Sequence, residues 1–131
     1  MESINILNSE SKINKIDFKR IQKSNSKKTY EIVIKDAFII SSLSDTEIRI
    51  EITREVGFTP NGIFSIIVDG EAILKYEKKV GGVVIDNAYV SNNIREIIVE
   101  TELMSYISAI ISSISTLSGQ LPLITPPVVI I

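Results

Sequence analysis

Between residues 45 and 56 the chain reads DTEIRIEITREV, and apolar residues alternate with charged ones. Ile48, Ile50, Ile52 and Val56 fall on one side of an extended backbone; Glu47, Arg49, Glu51, Thr53 and Glu55 fall on the other. Side chains of a strand point to opposite faces with period two, and a helix would scatter this pattern around its axis. The stretch therefore predicts a half-buried strand with one wet face. A fold that contains it needs a second apolar layer to cover the isoleucine row.

Three other runs have strand character. INKIDFKRIQ (13–22) puts Ile16 and Phe18 on one face and Lys15, Asp17 and Lys19 on the other, and SNSKK then reads as a turn. TYEIVIKDAFIIS (29–41) aligns Tyr30, Ile32, Ile34, Phe38 and Ile40; Asp36 interrupts that row, which suggests a bulge or bend there. IFSIIVDGEAILKYE (63–77) is a long strand in which Gly70 suggests a bulge or a close backbone approach. GFTPNG (57–62) has the chemistry of a reversal. Short polar connections between these runs predict an antiparallel meander. Residues 1–11 read as a polar, mobile tail, and 12–131 as a single domain.

KKVGGVVIDNAYVSN (78–92) leaves the sheet, and helix is expected from Asn93, capped by Asn92 or Asn93, broken near Thr101 and ended by Gly119 with Pro122 beyond. Strands followed by helix give an α+β class: a four-stranded antiparallel sheet and a long C-terminal helix. From Leu103 to Ile131 no residue is charged. Leu103, Ile107, Ile110, Ile114 and Leu117 form a helical stripe widened by Met104 and Ile111; Ser105, Ser108, Ser112, Ser113, Ser115 and Thr116 occupy the rest. A surface helix ordinarily carries Lys and Glu on its outer side. A membrane span needs ~20 mostly apolar residues. This helix is rich in Ser, and Pro122, Pro126 and Pro127 follow it without a flanking Lys or Arg. A helix with its Ser face in water is the plain alternative. The favoured reading is a helix packed between its own sheet and a partner subunit, and LPLITPPVVII as an extended apolar segment along the sheet, the helix or a partner.

Composition narrows the chemistry. The chain has no Cys and no His, which excludes disulfides, thiolate nucleophiles, Cys/His zinc sites and Ser-His-Asp triads within one chain. The carboxylates of VDGE (68–71), and Asp45 with Glu47, read as ordinary wet-face residues, and VGGVV (80–84) lacks the phosphate-loop pattern. No enzymatic role, cofactor or metal is expected. The N-terminus has no secretory pattern, so a cytoplasmic location is expected.

MSYISAIISSISTLSGQLPLITPPVVI (104–130) resembles the C-terminal helix and tail of the SecB family of export chaperones. Tyr106 matches the family's Tyr, Ile111 and Ser112 its Ile-Ser pair, Gly119 its Gly, and Pro122 and Pro127 its tail prolines, without a gap. The strand around Gly70 looks like the family's last long strand. The order of four strands then helix extends the likeness over most of the chain, but the motif covers only 104–130. Ser105 stands where the family has Pro, Ser108 where it has Arg, and Leu121 precedes Pro122 in place of a second proline. The acidic patch that meets the export ATPase has no clear match near Phe64 and Ile66, and the family's metal-binding tail is not expected beyond Ile131, so the export ATPase stays an open partner. The resemblance implies an α+β SecB-like chaperone, of the export or toxin–antitoxin kind, that holds unfolded or precursor polypeptides without ATP as a homotetramer, a dimer of dimers, with no membrane insertion.

Candidate peptide-binding residues are Phe58, Phe64, Tyr76, Leu121, Leu123 and Ile124, each of which can also be plain core; Phe58 stands out as a loop aromatic beside Thr59 and Pro60. Tyr106, Ser108, Ile110, Ser113 and Ile114 are the candidates for the subunit interface. The alternative function is single-stranded nucleic-acid binding. Half of the 14 Lys and Arg residues are Lys12, Lys15, Lys19, Arg20, Lys23, Lys27 and Lys28, with Phe18 and Tyr30 nearby. The same lysines can simply blunt a sheet edge.

Overall fold

The computed structural model describes residues 3–21, 29–60, 62–79, 81–117 and 122–130. Four strands, β1 (Ile4–Arg20), β2 (Glu31–Leu43), β3 (Glu47–Thr59) and β4 (Phe64–Lys78), form one antiparallel sheet in the order β1-β4-β3-β2. Among the described residues three helices follow: α1 (Asn87–Asn92), α2 (Ile94–Val99) and α3 (Leu103–Leu117). The architecture is the α+β arrangement expected, with the helical region divided at Asn93 and at residues 100–102.

The sheet is not a simple meander. β2, β3 and β4 follow one another, but β1 pairs with β4, at the opposite edge from β2. That is Greek-key order. β1 also begins earlier than expected. Residues 4–11 belong to the strand rather than to a tail: Ile4 is buried and pairs with Lys78, and Ile6 pairs with Tyr76. The apolar spacing in this part is irregular because register shifts fall between Ile6 and Asn8 and between Ile13 and Lys15, and each shift breaks the two-residue period of the strand. The turn expected at SNSKK and the helix stop at Gly119 lie outside the described residues.

The even-numbered residues of β3 and β4 make the covered face. Ile48, Ile50, Ile52, Val56, Phe64, Ile66, Val68, Ala72, Leu74 and Tyr76 are buried there. α3 lies over β4 and β1, burying Leu103, Met104, Ile107, Ile111 and Ser115. The buried stripe thus advances mainly by fours; Ile110 and Ile114 sit at its margin, and Leu117, expected within it, is 87% exposed. Gly70 is a point of close approach between α3 and β4. A Cβ there would stand 2.6 Å from Leu103 Cδ1, so the glycine lets the first turn of α3 rest on the strand.

Two local expectations change. No bulge occurs at Asp36; the register shift in β2 lies between Ile40 and Ser42, and Asp36 pairs in register with Arg54. Helix begins at Asn87 rather than at Asn93: the Asp86 carboxylate caps α1 by accepting from the Tyr89 amide at 2.8 Å, and Asn93 makes no side-chain cap. VVIDNAYV hid this turn because its apolar run has too few residues to display a period. β3 also runs through Gly57, Phe58 and Thr59, where a reversal is expected from the sequence.

Candidate functional site

Strand alternation gathers four aromatic residues. Phe18 on β1, Phe64 on β4 and Phe58 on β3 all point to the helix-bearing face, and Tyr30 joins them just before β2. The ring centroids of Phe18 and Phe64 are 5.9 Å apart, those of Phe64 and Phe58 5.1 Å, and those of Phe58 and Tyr30 6.4 Å. The last two contacts are edge-to-face, the arrangement the ring quadrupoles favour. Tyr30 packs directly on Gly62, where a Cβ would meet the ring at 2.5 Å. Phe64 is buried at the floor of this row. Phe18 is 38% exposed, Ile16 46% and Ile32 50%, so the rim is an open apolar surface. Phe58 and Phe64 were legible as candidates; Ile16 and Ile32 were not, because a strand isoleucine gives no sign that its neighbours stop short of covering it.

The remaining peptide-binding candidates are scattered. Tyr76 lies 12 residues farther along β4, about 40 Å away at strand spacing, where it is buried and its hydroxyl donates to the Ser44 carbonyl at 2.6 Å. Burial holds its phenol above the usual tyrosine range; Asp45 adds to the rise and Lys78 opposes it. Leu123 is half-buried against the core, Ile124 is 79% exposed, and Leu121 lies outside the described residues.

Of the assembly candidates, Tyr106 and Ser113 face outward from α3, and Ile110 and Ile114 are half-buried. The Tyr106 hydroxyl donates to the Glu102 carboxylate, a bond that pushes its phenol pKa up. Ser108 turns inward instead. Its hydroxyl lies between Arg54, Thr125 and the Pro126 carbonyl.

That contact belongs to a buried constellation that the sequence reading passed over. Arg54 and Asp36 form a two-pronged ion pair, Nε to Oδ1 and Nη2 to Oδ2, both at 2.8 Å, and neither side chain is exposed. Nη1 also donates to the Pro126 carbonyl at 2.6 Å and Nη2 to the Val128 carbonyl at 2.7 Å. The Ile130 amide donates to Asp36 Oδ2 at 2.8 Å. A buried guanidinium is tolerated only when its donors are satisfied, and here they are. A signal existed: Asp36 and Arg54 each interrupt an apolar row, on strands expected to be neighbours.

The basic residues are divided by the same alternation. Lys12, Lys15 and Lys19 lie on the face away from the helices, and Arg20 on the aromatic side. Lys12 pairs with Glu71 at 3.1 Å, Lys15 stands opposite Asp69, and Asp69 accepts from the Thr53 hydroxyl at 2.7 Å. The VDGE carboxylates thus engage neighbours across the wet face. Lys23, Lys27 and Lys28 lie outside the described residues. Among the described ones, a base stacked on Phe18 would be on the wrong side of the sheet for Lys15 and Lys19.

No family model matches the chain, and no curated protein matches it in sequence. Among solved structures it is similar to the SecB-like chaperone Rv1957 of Mycobacterium tuberculosis, solved in complex with a ChAD peptide from the HigA1 antitoxin. The TM-score is 0.66 and the identity 11%, over 95% of this chain and 87% of that one. The likeness is one of fold: a four-stranded antiparallel sheet followed by helices. No helix among the described residues is long and apolar enough to cross a membrane.

Proposed function

We propose that this chain is a SecB-like holdase that binds unfolded polypeptides, without ATP, on the open aromatic end of its helix-bearing face. The observation that carries this reading is the ring row Phe18, Phe64, Phe58 and Tyr30 with its exposed rim of Ile16 and Ile32. Aromatic and branched apolar side chains at strand spacing take up extended apolar segments by burial, with little demand on client sequence. The fold likeness to a chaperone solved with a bound peptide supports the same reading. A client of the toxin–antitoxin kind fits as well as an export precursor, and the export ATPase enters only with the latter. Assembly into a homotetramer, a dimer of dimers, is supported by α3, which carries no charged residue and turns Tyr106, Ala109 and Ser113 outward. A cytoplasmic holdase of this kind needs no cofactor.

The test is binding of a labelled, permanently unfolded polypeptide at low and high salt, with a single-stranded oligonucleotide as competitor. Salt-resistant binding, indifferent to the oligonucleotide, is expected. Phe58→Ser should weaken it about tenfold, since an aromatic contact of this kind is worth on the order of 1–2 kcal/mol. Capture of the oligonucleotide alone, falling steeply with salt, would reverse the reading in favour of nucleic acid.

A further inference from the structure

Residues 122–130 read PLITPPVVI and lie extended, outside any strand or helix. They are held mainly through their backbone. The Leu123 amide donates to Ser115 Oγ at 2.8 Å, the Pro126 carbonyl accepts from Arg54 and, at 3.2 Å, from Ser108, the Val128 carbonyl accepts from Arg54, and the Ile130 amide donates to Asp36. Only Thr125 and Val129 are buried, whereas Ile124, Val128 and Ile130 are 79%, 43% and 37% exposed. The hydroxyl face of α3 and the Arg54–Asp36 pair thus form a cradle that reads amides and carbonyls at fixed intervals and accepts two small or β-branched side chains. It demands no amide at 126 or 127, where this chain has proline.

We infer that this cradle is a peptide site in its own right, filled here by residues 122–130, and that an extended apolar client segment displaces them from it. The inference rests on the holdase reading and deepens it by adding a second part to the binding surface. Arg54 lies four residues before Phe58 on the same face of β3, about 14 Å at strand spacing, and Asp36 lies four residues beyond Ile32 on β2. The open aromatic row and the filled cradle are therefore consecutive along one track. A client anchored on the aromatics reaches the cradle within a few residues, and its backbone offers the same carbonyls and amides that 122–130 now supply. The local segment holds the site by proximity, and a client already anchored next door gains a comparable effective concentration.

The experiment uses the full chain with one reporter. Because the protein has no Cys, Ile124→Cys places a single fluorophore on an exposed position of the segment. Two probes are added: the permanently unfolded polypeptide, and a synthetic peptide with the sequence of residues 122–130. Expected is a rise in reporter mobility when the unfolded polypeptide binds. Val129→Asp should loosen the resident segment, leave the cradle intact, and increase capture of the synthetic peptide at least tenfold over the unsubstituted chain. Client binding with an immobile reporter, and no gain in peptide capture, would overturn the inference and leave the holdase reading standing. Failure to bind the unfolded polypeptide at all would remove both. Reporter mobility that changes with protein concentration alone would make a second copy's segment the occupant, contrary to the inference. If Val129→Asp does not fold, the reporter response of the Ile124→Cys chain decides by itself.

Discussion

Arg54 and Asp36 face each other across β3 and β2 with no solvent around them, and the guanidinium also closes two backbone carbonyls. Removing one partner of such a pair strands the other charge in a low-dielectric site. Arg54→Met should therefore cost about 3–5 kcal/mol of unfolding free energy in a urea titration. Adding Asp36→Leu should restore part of that loss but not all, because the Pro126 and Val128 carbonyls stay unpaired. Tyr76 offers a second test. Its folded phenol pKa is raised by burial above the unfolded value of about 10, so its stabilisation is complete below that pH and is lost as pH rises through the folded pKa. Tyr76→Phe should lower stability by about 1 kcal/mol near neutral pH, through loss of the bond to the Ser44 carbonyl, and should flatten the alkaline decline. Unfolding curves on either side of about pH 10 would show both effects.

Among the elements, α3 is held from two directions: one face rests on β4 and β1, and its hydroxyls grip residues 122–130. Gly70 sets the height of that contact. Gly70→Ala would bring a methyl group to 2.6 Å from Leu103 Cδ1, and Leu103 is fully buried. The first turn of α3 must then rise or Leu103 must repack, at a cost of about 1–3 kcal/mol. Thermal unfolding measures the loss, and Leu103→Val in the same chain should return part of it by clearing the space. The existence and type of β3, β4 and α3 were legible because each shows many repeats of its own period. β1 was legible only from residue 13 onward, because two register shifts break its alternation, and α1 was hidden because a six-residue helix repeats nothing.

For the molecule as a whole, the outward side of α3 is the proposed assembly surface. A charge placed there should be neutral in an isolated subunit and disruptive at a buried interface. Ser113→Arg is expected to lower the solution mass of the assembly, read by light scattering, without lowering the unfolding temperature of the subunit. An unchanged mass would remove the outer side of α3 as an assembly surface. The aromatic row makes the complementary prediction: Phe58→Ser should weaken capture of unfolded polypeptide and leave the mass untouched, because its contacts run to Phe64 and Tyr30 rather than to α3's outer side.

Period is a local property, and what rests on it was readable from the residues alone: the alternation at 45–56, the long strand around Gly70, the uncharged helix after Leu103, and hence the α+β class. Partnership between distant residues is not local. That β1 crosses to β4, that Asp36 meets Arg54, that Ser108 and Ser115 hold the backbone of 122–130, and that rings from three strands and Tyr30 meet at one end were decided by the tertiary structure. The reason is physical: a buried charge or an open ring is defined by what packs against it, and the chain brings those neighbours from tens of residues away.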